Sequence, residues 1–152
     1  MRVLFVLPRM FAGGVERVTL NLAAAFRHRG TVCRLALRHP HGELLAEARQ
    51  TFDSVEVIAG GGMRHFMPSL VMLIKAWKPT HIVTAFADVG LLTLIAHRWS
   101  GVNARLIHGT HNTHAFANRR QGVSGLLHYG MDSMASRIPY PCVATIFSIA
   151  TR

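Results

Sequence analysis

The chain has 152 residues, half of them hydrophobic and 16% charged, which excludes a disordered protein and is enough for one globular domain. It has 17 lysines and arginines and 7 acidic residues, which gives a formal net charge of +10. A positive charge of this size favours three classes of partner: nucleic acid, an anionic membrane surface or a phosphorylated ligand. The basic residues are dispersed rather than gathered in one block, which argues against nucleic acid, and two distant cysteines exclude a disulfide framework or zinc motif.

The apolar run at residues 2–8 predicts a first strand that is covered on both faces. A helix is predicted next, starting after Gly13 and Gly14 and ending at Gly30. Its apolar residues predict one stripe, the face that normally packs on the core: Val15, Val18, Leu22, Ala25 and Phe26. Further strands are predicted at residues 31–38, 54–60, 81–87, 104–111 and 142–150, and further helices at 41–50, 68–78 and 88–100.

This alternation of strands and helices predicts the fold class. Right-handed βαβ units give an α/β, Rossmann-like three-layer sandwich with a mostly parallel sheet, here of five or six strands with residues 2–8 in the interior. Cys33, Trp77 and Trp99 are predicted to lie in the core, and Asp88 is predicted to cap the helix at 88–100. Ligands of such folds bind beyond the carboxyl ends of the strands, so the residues that follow each strand are the candidate site.

Gly13 and Gly14 lie between the first strand and the first helix. Free backbone N–H groups and the helix dipole at such a point favour an anion, and glycine leaves room for it to approach. The alternative is that the two glycines only make a tight turn. The segment is neither the G-x-G-x-x-G dinucleotide fingerprint nor a P-loop.

Three histidines, His108, His111 and His114, follow at the end of the strand predicted at 104–111. No carboxylate or cysteine lies near them in sequence to complete a metal site, so no metal is expected. A strand-end histidine that moves a proton or contacts a phosphate is one alternative, and a hydrogen-bonded loop is the other. Glu16 and Asp88 are the acidic residues near the predicted site, and they belong to different βα units. A glycosidase needs two carboxylates that flank the scissile bond, so this placement argues against an autonomous glycosidase.

Residues 2–30, RVLFVLPRMFAGGVERVTLNLAAAFRHRG, resemble the opening of the family 4 retaining glycosyltransferases. In that family an apolar strand leads to a G-G-x-E-R turn and then to a helix of the xxxNLAxxLxxRG kind. AWKPTHIVTAF (residues 76–86) and ARLIHGTHN (residues 104–112) look like two later segments of the family, although Thr80 stands where Asp is usual. YPCVATIFSIATR (residues 140–152) is a looser match, since Cys142 and Thr145 replace Arg and Asp.

The resemblance implies the GT-B fold, in which two Rossmann-like domains enclose the active site. The resemblance extends over residues 1–152, and these correspond only to the amino-terminal, acceptor-side domain of such an enzyme. By resemblance, Gly13, Gly14 and Glu16 form the loop that faces the phosphates of the donor, and His111 is the catalytic histidine beside the transferred sugar. Four residues are acceptor-side candidates by position: Arg9, Arg64, Asp88 and Asn112.

The function implied is half of a hexosyltransferase that moves a sugar from a nucleotide-sugar to a glycan or lipid-linked acceptor in cell-envelope polysaccharide biosynthesis. No cofactor is expected. The family's E-x7-E donor motif has no counterpart here, so we expect a fragment, or a chain that works with a donor domain in cis or in trans and is inactive alone. We expect it in the cytoplasm, peripheral at the inner face of the membrane through weak anionic contacts. The alternative is a non-catalytic domain that binds a phosphate ligand or an anionic surface.

Overall fold

The computed structural model describes residues 1–58, 63–109 and 143–146, apart from the side chains of residues 63, 64 and 143–146. Within these residues six strands form one sheet in which every neighbouring pair is parallel. The strands are β1 (Arg2–Leu7), β2 (Val32–Leu37), β3 (Ser54–Val57), β4 (His81–Thr84), β5 (Arg105–Gly109) and β6 (Val143–Ile146). Their order is β3-β2-β1-β4-β5-β6, so the chain builds outward from β1 to one edge and then crosses back.

Four helices cover the described part of this sheet: α1 (Gly14–His28), α2 (Leu45–Thr51), α3 (Met63–Trp77) and α4 (Ala87–Ser100). Alternate residues of β1 point to two separate cores. Phe5 and Leu7 pack with residues of α1 and α2, whereas Leu4 and Val6 pack with residues of α3 and α4. Helices therefore lie on both faces, which confirms the predicted three-layer α/β fold with a parallel sheet.

The central place of β1 follows from its sequence. Residues 3–7 are apolar without interruption and are each at most 1% exposed. A strand of this kind needs cover on both faces and neighbours on both sides, and β1 has them in β2 and β4. The prediction of an interior strand is confirmed. The strand order reverses between β1 and β4, and that point is where ligands enter doubly wound folds.

The face that α1 buries differs from the predicted apolar stripe. Val18 and Leu22 are 44% and 41% exposed, whereas the buried residues of the helix are Glu16, Thr19, Leu20 and Ala23. The polar member Thr19 is tolerated there because its hydroxyl donates to the carbonyl of Val15 within the helix, at 2.9 Å. The apolar spacing thus predicted the helix correctly; of the predicted stripe, Phe26 packs against the core, whereas Val18 and Leu22 are exposed.

Three further sequence predictions were wrong in detail. Helix α3 begins at Met63, so Pro68 lies inside it rather than at its start. Helix α4 has Phe86 as its N-cap, and Asp88 lies in the first turn. Trp99 is 66% exposed on α4, while Trp77 is buried as predicted. No helix in the described part of the chain is long and apolar enough to cross a membrane.

Cys33 is fully buried in β2, as the sequence predicts. Burial, followed by the nearby Asp53 carboxylate, raises the pKa of this thiol from 9.0 to about 11. The folded protein therefore favours the neutral thiol, so Cys33 contributes stability below about pH 9 that is lost as the pH rises through about 11. At about pH 9 the folded state holds about fiftyfold less thiolate than a free cysteine does.

We therefore expect iodoacetamide to label Cys33 slowly until the pH approaches about 11, and rapidly once the chain is unfolded in urea. Mass spectrometry of the peptide that contains Cys33 measures this rate separately from that of Cys142. The expectation would be contradicted if the labelling rate of the folded protein rose with pH over the range expected from the pKa of an ordinary thiol.

Candidate functional site

The candidate site lies at the carboxyl edge, the edge of the sheet where β1, β2, β4 and β5 end at Leu7, Leu37, Thr84 and Gly109. Two connections at this edge matter most: the β1–α1 turn (residues 8–13) and the β2–α2 loop (residues 38–44). The β1–α1 turn lies at the strand-order reversal between β1 and β4, and the β2–α2 loop lies one strand away from it. A ligand that enters the crevice at this reversal therefore meets the β1–α1 turn first.

Gly14 leaves an open approach to the start of α1. It is the first residue of the helix, and a Cβ built on it would meet no heavy atom of the described residues within 4 Å. The first bond into the helix runs from the Arg17 N–H to the Gly13 carbonyl at 3.1 Å, so the N–H groups of residues 14–16 precede the helical ladder. No side chain within the described ranges caps this terminus. The arrangement offers backbone donors and the positive end of a helix dipole to an anion.

Gly13 has a different role from Gly14. A Cβ at Gly13 would collide with the carboxylate of Glu16, which is only 6% exposed. Glu16 is the third residue of α1, and its side chain folds back against the N-cap residue without a hydrogen bond that caps the helix. The positive helix terminus favours a carboxylate in this place. The sequence predicted room for a ligand at both glycines; the structure gives the space at Gly13 to Glu16 and leaves the space at Gly14 open.

The β1–α1 turn is held in place by the β2–α2 loop. The Met10 N–H donates to the His41 carbonyl and the Leu44 N–H donates to the Met10 carbonyl, both at 3.0 Å. The Ala12 N–H donates to Glu43 Oε2, also at 3.0 Å. Met10 itself is fully buried, so its side chain anchors the turn in the core. The turn before Gly14 is therefore a fixed structure rather than a loose connection.

Gly42 of the β2–α2 loop lies directly against the backbone of the β1–α1 turn. It has a φ of +133°, and a Cβ there would overlap the Met10 carbonyl and lie 2.7 Å from the Phe11 nitrogen. Sequence reasoning placed Gly42 among the candidate residues that follow a strand, but it missed Glu43, because its contact with the Ala12 N–H joins residues about thirty positions apart. The signal available was the turn-forming sequence His39–Pro40–His41–Gly42 directly after a predicted strand.

Arg9 and Phe11 form a second feature of the same turn. The Arg9 guanidinium carbon lies 4.5 Å from the centroid of the Phe11 ring, a cation–π contact. Phe11 is 40% exposed, and Arg9 is exposed as well. The acceptor-side candidate Arg9 is therefore next to the Gly13–Gly14 turn and is held against an aromatic ring.

His108 occupies a defined place near the end of β5. It is the register partner of Thr84, and its ring lies against Gly90 of α4. A Cβ at Gly90 would lie 2.8 Å from Cε1 and 2.9 Å from Nδ1 of the imidazole, so only glycine admits the ring in this position. Glycine in a helix interior costs about 1 kcal/mol relative to alanine. The helix thus carries a destabilising residue where the imidazole needs space.

The remaining predicted site residues are placed in part. Asp88 is exposed in the first turn of α4, directly after β4 at the carboxyl edge. Arg64 lies in the first turn of α3, and its side chain is outside the described residues. His111 and Asn112 also lie outside them, beyond the end of β5 at Gly109. Across residues 1–58 and 65–109, no three His, Cys, Asp or Glu side chains are grouped as metal ligands.

No protein-family model and no curated protein sequence matches this chain. Solved structures match its fold. The sucrose-phosphate synthase of Thermosynechococcus elongatus has a TM-score of 0.63 at 12% identity over 89% of this chain. HepE of Anabaena in complex with UDP has a TM-score of 0.62 at 16% identity over 97% of this chain, and its complex with UDP-glucose has the same TM-score at 15% identity.

These neighbours are glycosyltransferases of the GT-B fold, and the likeness shows that the present chain has the Rossmann-like architecture of such enzymes. The chain covers 40% of the sucrose-phosphate synthase and 44% of HepE. It therefore spans less than half the length of the structures it matches.

Proposed function

We propose that this chain is the amino-terminal, acceptor-side domain of a retaining glycosyltransferase of family 4, which moves a sugar from a nucleotide-sugar to a glycan or lipid-linked acceptor. The observation that carries the proposal is the open helix terminus at Gly14, at the carboxyl end of the central strand. The fold is that of glycosyltransferases, and the ligands bound by one neighbour, UDP and UDP-glucose, are of the class proposed for this chain.

The geometry suits a leaving nucleoside diphosphate. Negative charge develops on the phosphates as the bond to the sugar breaks, and preorganised N–H groups at a helix terminus stabilise such charge. In this proposal the N–H groups of residues 14–16 face the diphosphate, and Glu16 holds the turn in shape from beneath Gly13. No metal cofactor is invoked, because the helix terminus and nearby arginines supply the positive field.

His111 is proposed as the catalytic residue beside the transferred sugar, two residues after β5 ends at Gly109. The acceptor would contact residues at the same edge, with Arg9, Arg64, Asp88 and Asn112 as the candidates. The donor would be gripped by a second domain in cis or in trans. Because positioning of both reactants provides much of the rate enhancement, we propose that residues 1–152 alone transfer no sugar.

The proposed setting is the cytoplasm, peripheral at the inner face of the membrane, in cell-envelope polysaccharide biosynthesis. The charge of +10 would give at most a weak, salt-sensitive contact with anionic lipids, because the basic residues are dispersed. The same charge favours the second candidate function, a non-catalytic domain that binds a phosphate ligand or an anionic surface.

The test compares the full-length protein with its His111→Ala variant, using UDP-glucose as donor and release of UDP as the signal. We expect turnover by the full-length protein, a loss on the order of a hundredfold in His111→Ala, and an unchanged thermal midpoint. Full activity in His111→Ala would refute the role of that residue. UDP binding without turnover for every nucleotide-sugar tried would favour the non-catalytic candidate.

A further inference from the structure

The amino edge of the sheet, where β1, β2, β4 and β5 begin, lies opposite the candidate site and carries exposed basic side chains. Arg2 begins β1 and Arg105 begins β5, while Arg29 follows α1 and Lys78 follows α3. The four residues are far apart in the sequence, so no local block of charge predicts that they share one edge. The parallel sheet gathers them, because it places all its strand starts on the same side.

Backbone hydrogen bonds hold three of these cations close together. The Thr80 N–H donates to the Arg2 carbonyl, and the Arg105 N–H donates to the Thr80 carbonyl, both at 2.9 Å. Thr80 therefore lies between Arg2 and Arg105 along the amino edge, and Lys78 precedes it by two residues. The side chains of all three cations are exposed, so their charges face solvent on the same edge.

The amino edge stays positive when the negative groups are counted. Within the described ranges none of the four cations forms an ion pair. Asp53, directly before β3, is the acid at this edge among the described residues, and its charge is balanced by Arg27, whose Nε lies 3.2 Å from Oδ1. Four helices end here, and the negative ends of their dipoles amount to about half a charge each, so about two negative charges oppose the four cations.

The acids of the carboxyl edge are too distant to change this balance. Glu16, Glu43 and Asp88 keep their charge there. Strand β1 has six residues, so the two edges are about 20 Å apart. Counterions screen charges over about 8 Å at physiological ionic strength. The positive potential of the amino edge is therefore set by its own groups.

A structural role accounts for only part of this charge. Cations near a helix C-terminus complement the helix dipole, which accounts for Arg29 and Lys78. Arg2 and Arg105 begin strands, where no helix dipole accounts for a cation. Two exposed arginines at the centre of the edge are therefore free to serve a partner.

Exposed apolar side chains lie among these cations. Met1 is 57% exposed and Val32 is 43% exposed, and the Val32 N–H donates to the Met1 carbonyl at 3.1 Å. Arg29 lies three residues before Val32, and Trp99, in the last turn of α4, is 66% exposed. Aliphatic side chains gain nothing from the phosphates of a nucleic acid. An anionic bilayer offers headgroups to the cations and an apolar interface to tryptophan and to aliphatic side chains.

We propose that the amino edge docks on an anionic lipid bilayer, with its four cations against the headgroups and its three exposed apolar side chains in the interface. Docking in this orientation directs the carboxyl edge, and the candidate site with it, away from the membrane. The acceptor then reaches the site from solution, as the free end of a growing glycan does, rather than as a headgroup of the same bilayer. This last step rests on the proposed function, whereas the docking surface does not.

The experiment measures co-sedimentation of the 152-residue chain with phosphatidylcholine vesicles that contain or lack phosphatidylglycerol. We expect binding to the anionic vesicles alone, and we expect it to fall steeply as salt is added. The double variant Arg2→Gln/Arg105→Gln should weaken this binding about tenfold or more. Both side chains are exposed, so the thermal midpoint of the variant should match that of the parent.

Trp99 reports which edge meets the bilayer. The chain has two tryptophans, and Trp77 is buried, so a blue shift of the fluorescence on adding anionic vesicles measures the transfer of Trp99 out of water. We expect this shift in the parent and its loss in Trp99→Phe. Vesicle binding by the parent without a shift would place another surface on the membrane and overturn the proposal.

The matched control is Arg9→Gln/Arg38→Gln, which removes the same charge from residues that follow β1 and β2 at the carboxyl edge. We expect this control to keep most of the vesicle binding. An equal loss in the two double variants would show a diffuse charge effect and overturn the proposal, as would no binding to anionic vesicles. Binding of a DNA duplex that depends on Arg2 and Arg105 and is tighter than vesicle binding would overturn it in favour of nucleic acid.

Failure of this surface and failure of the proposed function are separable. Turnover of UDP-glucose by the full-length protein, with no vesicle binding that depends on Arg2 and Arg105, would refute the docking surface and leave the function standing. Vesicle binding that depends on these arginines, without turnover of any nucleotide-sugar, would leave the surface standing and refute the function.

Discussion

Gly14→Val in the full-length protein is expected to lower sugar transfer about a hundredfold while the thermal midpoint stays within a few degrees of the parent. A branched side chain at Gly14 would stand in the open space through which a diphosphate reaches the N–H groups of the first turn. It would not strain the fold, because no described atom lies within 4 Å of the added Cβ and Gly14 is helical. The measurement pairs the rate of UDP release with thermal unfolding.

Two further variants sharpen this expectation. Gly14→Ala should keep or raise the thermal midpoint, because alanine is the better helix former by about 1 kcal/mol in a helix interior, and it should cost less activity than valine. Asn21→Val places the same side chain on the exposed surface of α1, away from the turn, and should leave transfer unchanged. A Gly14→Val protein that transfers sugar at the parental rate would remove Gly14 from the donor site.

Gly42→Ala is expected to destabilise the protein by about 3 kcal/mol or more, a large fraction of the free energy of unfolding of an ordinary domain. Two causes add together. The φ of +133° is a conformation that costs a side-chain-bearing residue about 1–3 kcal/mol, and the new Cβ would overlap the Met10 carbonyl. The loop must then move away from the β1–α1 turn, which breaks the bonds from Met10 and Leu44. Urea unfolding measures the change.

Gly101→Ala separates the two causes. Gly101 also has a positive φ, +66°, but a Cβ there would meet no described atom within 4 Å. Its substitution should therefore cost only the conformational part, about 1 kcal/mol. If Gly42→Ala and Gly101→Ala destabilise the protein equally, the contact between the two segments contributes little, and the turn is not held as described.

The fold could be predicted from the sequence because its strongest signals are local. The unbroken apolar run of β1 is typical of a strand at the centre of a sheet. The alternation of strands and helices after it is compatible with only a few chain topologies. The orientation of α1 could not be predicted in the same way. Its buried face includes Glu16, which lies at the positive end of the helix dipole, and Thr19, whose hydroxyl donates to the Val15 carbonyl. The spacing of apolar residues cannot show that a polar side chain is stabilised in a buried position.

The candidate site could be predicted only where a single segment carries it. The glycine pair and its position before α1 are visible in the sequence, but the division of roles between Gly13 and Gly14 depends on where the Glu16 side chain folds. The support from Glu43 and the proximity of Arg9 to the β2–α2 loop depend on the register of β1 with β2, which no local pattern encodes. Contacts of this kind require the assembled sheet.

The pairing of β1 with β4 also bears on how the protein folds. The Arg2 N–H donates to the Thr80 hydroxyl across 78 positions of the sequence, whereas β1 and β2 pair across a much shorter stretch. Closing the longer loop costs more entropy, so β1, α1 and β2 are expected to assemble early and β4 to dock late. The crevice at the strand-order reversal is then completed late in folding. Until β4 docks, one side of β1 exposes unpaired backbone groups, and the nascent chain is open to mispairing with other strands.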